Sequence, residues 1–408
     1  MYDYKSYKDV DLKGKKILIR VDINSNIDTS GYTPKIRGES PRIKAIIPTL
    51  MELKDSAIVL MAHQGRPGGK DFTSLDIHAE QIRKRIDRPV KFVDDIFGPK
   101  AVQAIKDLKI GEILVLDNIR KWDTENKSFK DFAEAEKTEM VQVLSPLFDY
   151  FIEDGFGVAH RAQPSIVGFK TLLAGPLILK EFQYMTKLMQ NPKKPVAMLI
   201  GGAKAIGKYK AMKYNFENDR LDYALCSGLT AILIMEAIGM NMGSKNKDII
   251  SKDLEANKDD IIATYNKFKD KIILPKDLVI KENGGIKSIS TEEAGKYNTI
   301  TGDIGPKTVK EFSDIIVKCK TIIANGPPGI FEDEVFRDGT KAMVKAMAEA
   351  SEQNNALTVI GGGEMGLAAE MFGYGDKVSF ISTGGGAMLE LLSGKEVPLV
   401  KAFREKKP

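Results

Sequence analysis

Short apolar runs alternate with amphipathic stretches along most of the chain. In the first half, these runs fall at 16–23, 57–63, 112–118 and 150–156. In the second half, they fall at 195–201, 222–228, 321–326, 356–362 and 377–383. Stretches with apolar residues at helical spacing lie between them, for example at 42–55 and 74–86. Buried strands that alternate with helices are typical of βαβ units, so we predict an α/β fold with mainly parallel sheets.

One helical stretch stands out by its position. Residues 176–190 carry apolar residues at helical spacing, and the segment NPKKP then ends the helix. The stretch lies near the middle of a chain of 408 residues, a length that supports two cores of ordinary size. We therefore interpret this helix as a connector between two domains.

Different residues follow the strands in the two halves. Isolated polar side chains follow those of the first half, namely Asp22, Asn24, His63, Arg66, Arg120, His160 and Arg161. Glycine clusters follow those of the second half: LIGGAK at 199–204, NGPPG at 325–329, VIGGGE at 359–364 and STGGGA at 382–387. Cationic side chains hold small polyanions, whereas glycine turns present backbone N–H groups to phosphates. The pattern predicts phosphoryl transfer between two lobes.

The composition disfavours several other classes of protein. There are 61 cationic and 56 acidic residues, and no basic block suggests nucleic acid binding. Cys226 and Cys319 lie in apolar contexts, which favours packing over a disulfide or a metal site. No apolar run approaches the roughly 20 residues that span a bilayer, and the N-terminal segment lacks an apolar signal core. We expect a cytoplasmic protein with no membrane or nucleic acid partner. His78 lies in a helical stretch without a visible partner, which favours a structural role.

Two common nucleotide-binding motifs are incomplete. Residues 202–209 match the spacing G-x-x-x-x-G-K, but Tyr209 stands where a P-loop needs a Ser or Thr to bind magnesium. No strand leads into G-x-G-x-x-G with an acidic residue about 20 positions later. A Walker-type NTPase and a nicotinamide dehydrogenase are therefore disfavoured.

Two glycine clusters lie between a strand and a helix. In VIGGGEMGLAAEMFG, Gly361–Gly363 are predicted at a helix N-terminus, where free N–H groups face a phosphate. STGGGAMLELLSG repeats this arrangement at Gly384–Gly386. Each cluster alone also fits a tight strand-to-helix turn. Together with NGPPGIFE, they favour a nucleotide site.

Ten segments occur in the order found in phosphoglycerate kinases, and this resemblance covers nearly the whole chain. They are RVDIN, SPRIKAIIPTL, AHQGRPGG, VLDNIR, GVAHRAQPSIVG, LIGGAK, DIGPKT, NGPPGIFE, VIGGG and STGGGAMLELLSGK. AHQGRPG and AHRAQPS resemble the archaeal branch more than the bacterial or eukaryotic branches, in which His usually stands in place of Gln163.

The resemblance implies two doubly wound, mainly parallel-sheet lobes that face a cleft. It places a triose-phosphate-binding lobe at 1–173, a connecting helix at 174–191, a nucleotide-binding lobe at 192–392, and a tail at 393–408 that packs on the first lobe. The implied reaction is reversible transfer between 1,3-bisphosphoglycerate with ADP and 3-phosphoglycerate with MgATP. No general base is needed because the acceptor carboxylate is ionised at neutral pH. Hinge closure would exclude water, Mg²⁺ would enter with the nucleotide, and the protein would be a monomer or weak dimer.

The resemblance also assigns the triose side of the site. Asp22 and Asn24 would bind the hydroxyl or carboxylate end of the glycerate. Arg42 would bridge the carboxyl group to the phosphoryl group in transfer. The distal phosphate would be held by His63, Arg66, Arg120 and Arg161.

On the nucleotide side, Lys204 would neutralise the transferred group and Glu332 would bind the ribose hydroxyls. The implied catalytic residues are Arg42, Lys204, Gly362 and Gly385. The implied nucleotide-binding residues are Gly201, Gly202, Ala203, Lys208, Gly228, Leu229, Asn325, Pro327, Glu332, Gly361, Gly362, Gly363, Glu364 and Met365.

Several positions depart from the family pattern. Glu364 replaces the usual Asp or archaeal His, Met365 replaces a small hydroxyl residue, Ser227 replaces a glycine, and AIGK follows GGAK. A carboxylate oxygen of Glu364 could still bind Mg²⁺ together with the nucleotide. Two alternatives stay open: a paralogue that binds a phosphorylated glycerate with slow or altered transfer, and a non-catalytic nucleotide-binding protein.

Overall fold

A computed structural model describes residues 3–31, 33–282 and 284–406. The outermost positions of the predicted first lobe and tail (1, 2, 407 and 408) lie outside the described residues, as do positions 32 and 283. The chain forms two compact units. The first unit comprises the chain up to Gln183 and the segment from Glu396, and the second unit comprises Tyr184–Lys395. Among the described residues, no helix is both long and apolar enough to cross a bilayer.

The first unit is built on a parallel sheet of six strands. The strands of the whole unit are β1 (Lys16–Arg20), β2 (Ile27–Asp28), β3 (Lys35–Ile36), β4 (Ala57–Met61), β5 (Val90–Phe92), β6 (Ile113–Val115), β7 (Tyr150–Glu153) and β8 (Leu172–Ala174). Strands β2 and β3 pair separately as an antiparallel hairpin, and the other six follow the order β5-β6-β4-β1-β7-β8. After β1 the chain continues on the β4 side and later returns to β7 on the other side. The carboxyl end of β1 is therefore the reversal point at which open α/β sheets collect ligands.

Helices connect these strands. They are α1 (Pro41–Glu52), α2 (Asp76–Arg83), α3 (Pro99–Asp107), α4 (Phe132–Glu136), α5 (Glu139–Leu144), α6 (Pro164–Val167) and α7 (Pro176–Gln190). Every residue of β4 is buried, as expected for a parallel strand that is covered on both faces. Helix α1 begins with a proline after Ser40, whose Oγ accepts a hydrogen bond from the backbone N–H of Ile43 at 3.4 Å. This cap fixes Arg42 in the first turn.

Helix α7 begins in the first unit, and its first turn is capped by a buried carboxylate. Asp154, directly after β7, accepts hydrogen bonds from the backbone N–H groups of Leu177 (2.7 Å) and Ile178 (3.2 Å). Thr49 of α1 donates its hydroxyl to the other oxygen of Asp154 at 2.6 Å. One carboxylate therefore links the ligand-side helix α1 to the start of α7.

The second unit contains another parallel sheet of six strands and a smaller antiparallel sheet. Its strands are β9 (Val196–Ile200), β10 (Tyr223–Cys226), β11 (Ile272–Ile273), β12 (Asp277–Glu282), β13 (Gly285–Ser290), β14 (Thr301–Ile304), β15 (Thr321–Asn325), β16 (Leu357–Gly361) and β17 (Phe380–Ser382). The parallel sheet has the order β11-β10-β9-β15-β16-β17, so its reversal point lies between β9 and β15. The order of the antiparallel sheet is β13-β12-β14.

The helices of the second unit lead into its glycine turns or out of them. They are α8 (Ala205–Glu217), α9 (Gly228–Ala237), α10 (Ser244–Phe268), α11 (Pro306–Ile316), α12 (Asp338–Asn354), α13 (Gly363–Met371) and α14 (Gly385–Leu392). Helices α8, α9, α13 and α14 each begin within five residues of the end of a strand of the parallel sheet. Their N-termini therefore lie at its carboxyl edge.

The last helix, α15 (Pro398–Glu405), packs on the first unit. The ring of Phe403 lies 6.1 Å from that of Phe182 and 6.0 Å from that of Tyr4, measured between centroids. The backbone N–H of Leu399 donates to the carbonyl of Ala159 at 3.1 Å. These contacts hold the tail against the middle of α7, the N-terminal segment at Tyr4 and the loop after β7.

Candidate functional site

The loops that carry the predicted triose ligands leave the first sheet at one level. Strand β1 pairs with β4 and β7 so that Arg20 lies opposite Met61 and Glu153, the last residues of those two strands. Asp22 follows β1 by two residues, and His63 follows β4 by two residues. The side chains after these strands therefore project from the same edge of the sheet.

Two pairs of contacts organise this edge. Nη1 of Arg42 donates to both carboxylate oxygens of Asp22, at 2.6 and 2.5 Å. Oδ1 of Asn24 accepts a hydrogen bond from the backbone N–H of Gly65 at 2.8 Å. Nη1 of Arg120 donates to the carbonyl of the same glycine. Arg42 is thus oriented by Asp22, and Arg120 is oriented by the turn between His63 and Arg66.

Positive charge accumulates at this edge. Burial lowers the pKa of Arg161, and the neighbouring Arg20, Arg66 and Arg42 lower it further. Asp22 is the one acid whose charge opposes this shift among the main contributors. A cluster of guanidinium groups of this kind attracts anions that carry several negative charges.

Burial is also the main reason that the pKa of His63 lies well below its usual value, with contributions from Arg20, Arg161, Arg42 and His78. His63 is therefore neutral at physiological pH. A neutral imidazole contributes one N–H donor to the edge, not a charge.

Arg20 was not predicted as a site residue. It heads the largest fully buried side chains of the described residues, and its guanidinium lies beneath the loop that carries His63. The only available signal was a cation at the end of an apolar run, directly before the Val-Asp pair.

Two buried amides hold the loops in place and were also missed. Oε1 of Gln64 accepts a hydrogen bond from the backbone N–H of Ser25 at 2.8 Å and is also hydrogen-bonded to Nε2 of His78 at 2.9 Å. Asn118 donates to the carbonyl of Gln64 at 2.7 Å and accepts from the backbone N–H of Arg120 at 3.2 Å. His78 therefore has a partner that the sequence did not reveal, and this partner supports the predicted structural role.

In the second unit, the glycine turns touch backbone to backbone. A methyl group at Gly326 (φ +84°) would lie 2.3 Å from the carbonyl oxygen of Gly201, and one at Gly228 (φ +50°) would lie 2.5 Å from the backbone nitrogen of Gly202. The backbone N–H of Leu229 donates to the carbonyl of Gly202 at 3.1 Å. These positions accept no side chain, so the turns after β9, β10 and β15 form one surface.

Two lysines and one carboxylate collect beside this surface. Lys204 has a left-handed backbone with φ +61°, which is uncommon for a residue with a long side chain and is often found at functional sites. A methyl group at Gly202 would lie 3.5 Å from both Nζ of Lys208 and Oε2 of Glu364. Lys204 and Glu364 are exposed, whereas Lys208 is buried.

Lys208 donates to the carbonyl of Ala203 at 2.6 Å and to the carbonyl of Gly201. The pKa of Lys208 is lowered to about 8, mainly by burial; Glu364 opposes this shift and Lys204 adds to it. The ammonium group of Lys208 is thus bonded to the turn after β9.

The turns after β16 and β17 also meet. Gly362 caps α13 with φ +68°, and a methyl group there would lie 2.5 Å from Cα and N of Gly385. Nδ2 of Asn325 donates to the carbonyl of Gly385 at 3.2 Å. A methyl group at Gly363 would meet nothing within 4 Å. The N-terminus of α13 therefore opens onto free space beside the turn from β15.

The remaining predicted nucleotide residues have different surroundings. Pro327 is buried, and its carbonyl lies 2.4 Å from where a methyl group on Gly201 would be. Glu332 is exposed. Ser227 is buried and donates its hydroxyl to the carbonyl of Ile200 at 2.9 Å, so it points into the sheet edge.

Met365 has different surroundings from those of the glycines before it. Its side chain is fully buried and belongs to the hydrophobic core of the second unit. A contact between Met365 and a nucleotide would therefore come from its backbone, and its nucleotide-binding role stays a prediction. Helical geometry explains the difference, because the second residue after the turn at Gly363 faces the sheet and not the ligand.

The described residues contain no group of three or more His, Cys, Asp or Glu side chains that could hold a metal ion. Among the described residues, Glu364 is the carboxylate whose charge acts on Lys208 beside the turn after β9. Any ion here would need most of its ligands from phosphate oxygens and water.

Comparisons with known proteins agree along the whole chain. The sequence profile of the phosphoglycerate kinase family matches residues 7–395. A phosphoglycerate kinase of Methanothermus fervidus is 36% identical over 99% of this chain and 98% of its own length. One from Methanococcus maripaludis is 37% identical over 96% of each chain.

Solved structures give the same result. The crystal structure of phosphoglycerate kinase from Pyrococcus horikoshii OT3 has a TM-score of 0.90 and 32% identity, and the match covers 98% of both chains. The structure from Coxiella burnetii has a TM-score of 0.76 and 26% identity, over 99% of this chain and 100% of the other. The predicted two-sheet α/β class and the similarity to the archaeal branch are confirmed. The chain belongs to the phosphoglycerate kinase family, and it is a nucleotide-using phosphotransferase of glycolysis.

Proposed function

We propose that the two units divide the substrates of the kinase reaction between them. The first unit binds 3-phosphoglycerate or 1,3-bisphosphoglycerate, and the second unit binds ATP or ADP with Mg²⁺. The observation that carries this division is the charge at the first sheet, where the charges of Arg20, Arg42 and Arg66 act on Arg161 and Asp22 is the one acid that opposes them among the main contributors. A phosphorylated acid supplies the negative charge that this cluster lacks.

Within the first unit, we assign the end of the substrate that carries the hydroxyl and carboxylate groups to Asp22, Asn24 and Arg42. The side chain of Arg42 is 31% exposed, and its bond to Asp22 sets its direction. Asp22 can accept a bond from the glycerate hydroxyl and cannot bind a carboxylate without a proton. The distal phosphate is assigned to His63, Arg66, Arg120 and Arg161.

The second unit is suited to phosphates because it offers backbone donors and an exposed cation, Lys204. We assign the β- and γ-phosphates to the first N–H groups of α13 and to Lys204, because α13 opens onto free space at Gly363. The acceptor is an ionised carboxylate, so no side chain has to remove a proton. Arg42, Lys204 and the helix N-terminus stabilise charge on the phosphoryl group during in-line transfer.

Magnesium fits this donor set. Mg²⁺ is usually held by one or two carboxylates together with phosphate oxygens and water, and Glu364 in the first turn of α13 offers one carboxylate. When bound, the ion neutralises phosphate charge. We assign no further ligand on the protein to it.

Calorimetry on single substitutions tests the division of substrates. Arg161→Ala removes part of the guanidinium cluster and should weaken 3-phosphoglycerate binding by roughly 10- to 100-fold, because it removes charge-assisted hydrogen bonds. MgATP affinity should not change. Arg37→Ala is the matched control, because Arg37 is a 68% exposed arginine of the same unit that pairs only loosely with Asp28, at 3.9 Å.

A coupled assay with 3-phosphoglycerate and MgATP completes the test. The unchanged protein should convert 3-phosphoglycerate and MgATP to products, which distinguishes it from a slow paralogue or a non-catalytic nucleotide-binding protein. Absent turnover, or Arg161→Ala that binds 3-phosphoglycerate as well as Arg37→Ala does, would contradict the proposal.

We further propose a cytoplasmic enzyme that acts as a monomer or weak dimer, without a nucleic acid or membrane partner. Support for the compartment comes from Cys226 and Cys319, which are both buried and free. Sedimentation at micromolar concentration tests the assembly state.

A further inference from the structure

Arg20 occupies an unusual place for a cation. It is the last residue of the central strand β1 and is 0% exposed. Its Nη2 lies 3.1 Å from Nδ1 of His63, and its Nε lies 3.1 Å from Oγ of Ser165. Its Nη1 donates to the carbonyl of Val21 and lies 3.4 Å from that of Met61. The guanidinium is therefore held on every side by acceptors of the sheet and its loops.

The bonds around Ser165 keep the guanidinium in this orientation. Oγ of Ser165 donates to Oε1 of Glu125 at 2.6 Å, and the backbone N–H of Ser165 donates to Oε2 at 3.1 Å. The hydroxyl proton is thus directed to Glu125, and the oxygen lone pairs are left to accept from Arg20. Glu125 is fully buried, so this layer has little freedom to rearrange.

No ion pair within 4.0 Å involves Arg20 in the described parts of the chain. Glu125 and Glu153 act on it at longer range, since the charge of Arg20 lowers the pKa of both carboxyl groups against the raising effect of their burial. Arg20 therefore contributes a fixed positive charge beneath the guanidinium cluster.

The chemistry of the two groups determines the state of His63. A guanidinium has five N–H donors, no acceptor, and stays protonated in proteins. Nδ1 of His63 must therefore accept, which leaves the single imidazole proton on Nε2. The other charged or titratable neighbours of His63 are Arg42 on α1, His78 on α2 and Arg161 after β7, and all three disfavour an imidazolium.

We propose that Arg20 is a positioning residue, which fixes His63 as a neutral Nε2–H donor toward the anion bound by the first unit. The identity of that anion as a phosphorylated glycerate rests on the function proposed above. In this arrangement the histidine donates its hydrogen bond without first being protonated. Its contribution to binding is then constant between about pH 6 and pH 8, where a free histidine would lose its charge.

Nitrogen NMR on the ligand-free protein tests the proposal directly. The chain has three histidines, so long-range proton–nitrogen spectra of histidine-labelled protein contain few signals. The set that disappears in His63→Gln belongs to His63. At pH 7 this set should show an acceptor-type Nδ1 and a protonated Nε2. A protonated Nδ1, or an imidazolium, overturns the proposal.

Substitution of Arg20 tests the cause. In Arg20→Met, which replaces the guanidinium with an apolar chain, the His63 signals should change to a mixture of both tautomers. Ser165→Ala is the matched control, because it removes the bond to Nε of Arg20 and leaves the Nη2 contact; it should keep the single tautomer. An unchanged His63 spectrum in Arg20→Met overturns the proposal.

A pair of changes at His63 tests the donor without altering Arg20, and so it stands even where Arg20→Met does not fold. The amide nitrogen of His63→Gln reaches the position of Nε2 and can still donate. The side chain of His63→Asn ends near Nδ1, where it can accept from Arg20 but cannot reach the ligand. We expect 3-phosphoglycerate affinity to fall roughly tenfold more in His63→Asn than in His63→Gln. Equal losses overturn the proposal.

The two levels of inference fail separately. If the unchanged protein does not bind 3-phosphoglycerate, the assignment of the anion fails, but the tautomer of His63 and its dependence on Arg20 remain measurable. If 3-phosphoglycerate binds and the tautomer is not the predicted one, only the role of Arg20 fails.

Discussion

Two adjacent glycines at the start of α13 allow stability and ligand binding to be separated. Gly362 has φ +68°, and a methyl group there would lie 2.5 Å from Cα and N of Gly385. Gly363 is the first residue of the helix, and a methyl group there would meet nothing within 4 Å. The same substitution, Gly to Ala, therefore meets opposite conditions at neighbouring positions.

The expected cost at Gly362 follows from this geometry. A left-handed backbone costs an alanine about 1–2 kcal/mol, and forcing an extra methyl group into packed backbone costs about 1–3 kcal/mol. We expect Gly362→Ala to lower the free energy of unfolding by about 3 kcal/mol. For a unit of this size, that corresponds to a fall of roughly 6–12 °C in melting temperature.

Gly363→Ala should leave stability unchanged or raise it by up to about 1 kcal/mol, because alanine restricts the unfolded chain more than glycine does. Its methyl group projects into the space that we assign to the β- and γ-phosphates. MgATP affinity should therefore fall, on the order of tenfold, while 3-phosphoglycerate affinity stays the same.

Calorimetric melting and titration with each ligand measure both effects on the same preparations. Each variant is the control for the other: Gly362→Ala measures the loss of stability, and Gly363→Ala measures the loss of MgATP affinity. If Gly363→Ala binds MgATP as tightly as the unchanged protein, the phosphates do not lie at this helix N-terminus. If Gly362→Ala melts normally, the close approach of the turns at Gly362 and Gly385 is wrong.

Three further outcomes are expected. Met365→Ala should cost about 2–5 kcal/mol of stability by leaving a cavity and should not alter MgATP affinity in the folded protein; a selective loss of affinity would restore a direct role for this side chain. Lys204→Gly should relieve the left-handed backbone, keep or slightly raise the melting temperature, and lower kcat by about 100-fold or more, and a rate near normal would exclude Lys204 from transfer. Burial raises the pKa of Glu125 to about 7, so the folded protein favours the neutral carboxyl group, and the stability that this group contributes is lost as the pH rises from about 5 to 7. Glu125→Gln does not titrate, so in chemical denaturation its free energy of unfolding should rise relative to that of the unchanged protein by about 3 kcal/mol between pH 5 and pH 8. A difference that stays constant with pH would refute the raised pKa.

The sequence predicted the elements better than their ends. The connector helix was placed at 176–190, and the structure has Pro176–Gln190. The first strand was placed at 16–23, yet the structure ends it at Arg20. Val21 and Ile23 are fully buried without extending the ladder, so apolar character continued beyond the strand. Periodicity reports burial, and burial at the carboxyl edge is shared by strands and the ligand loops that follow them.

The antiparallel strands β12–β14 were not predicted. The longest apolar run in these strands is the three residues Leu278, Val279 and Ile280, and β13 is mostly exposed. Strands β5 and β8, of three residues each, were also missed. Pairing with neighbours that are distant in sequence decides such short strands, and a local pattern cannot show it.

The candidate site was predictable where chemistry is exposed at the end of an element and was not predictable where it is buried. Arginines after strands and glycines before helices are visible in sequence, and they come together at the two sheets. Arg20 was overlooked because a cation at the end of an apolar run looks like the polar end of a strand. Met365 was predicted beside Gly363 and Glu364, which are exposed, but its own side chain is buried, and a local pattern does not show this.

The two lysines after β9 illustrate how burial separates roles that charge alone does not. Lys208 is buried, bonds to the carbonyls of Gly201 and Ala203, and has a pKa lowered to about 8. To reach a phosphate, it would have to exchange bonds that already hold the turn, and a lysine that is partly neutral above pH 8 is a weak phosphate ligand. Lys204 is exposed at the N-terminus of α8, with its backbone held in the left-handed region. We therefore assign charge neutralisation during transfer to Lys204 and place Lys208 chiefly as the residue that shapes the turn, with nucleotide contact as its secondary role.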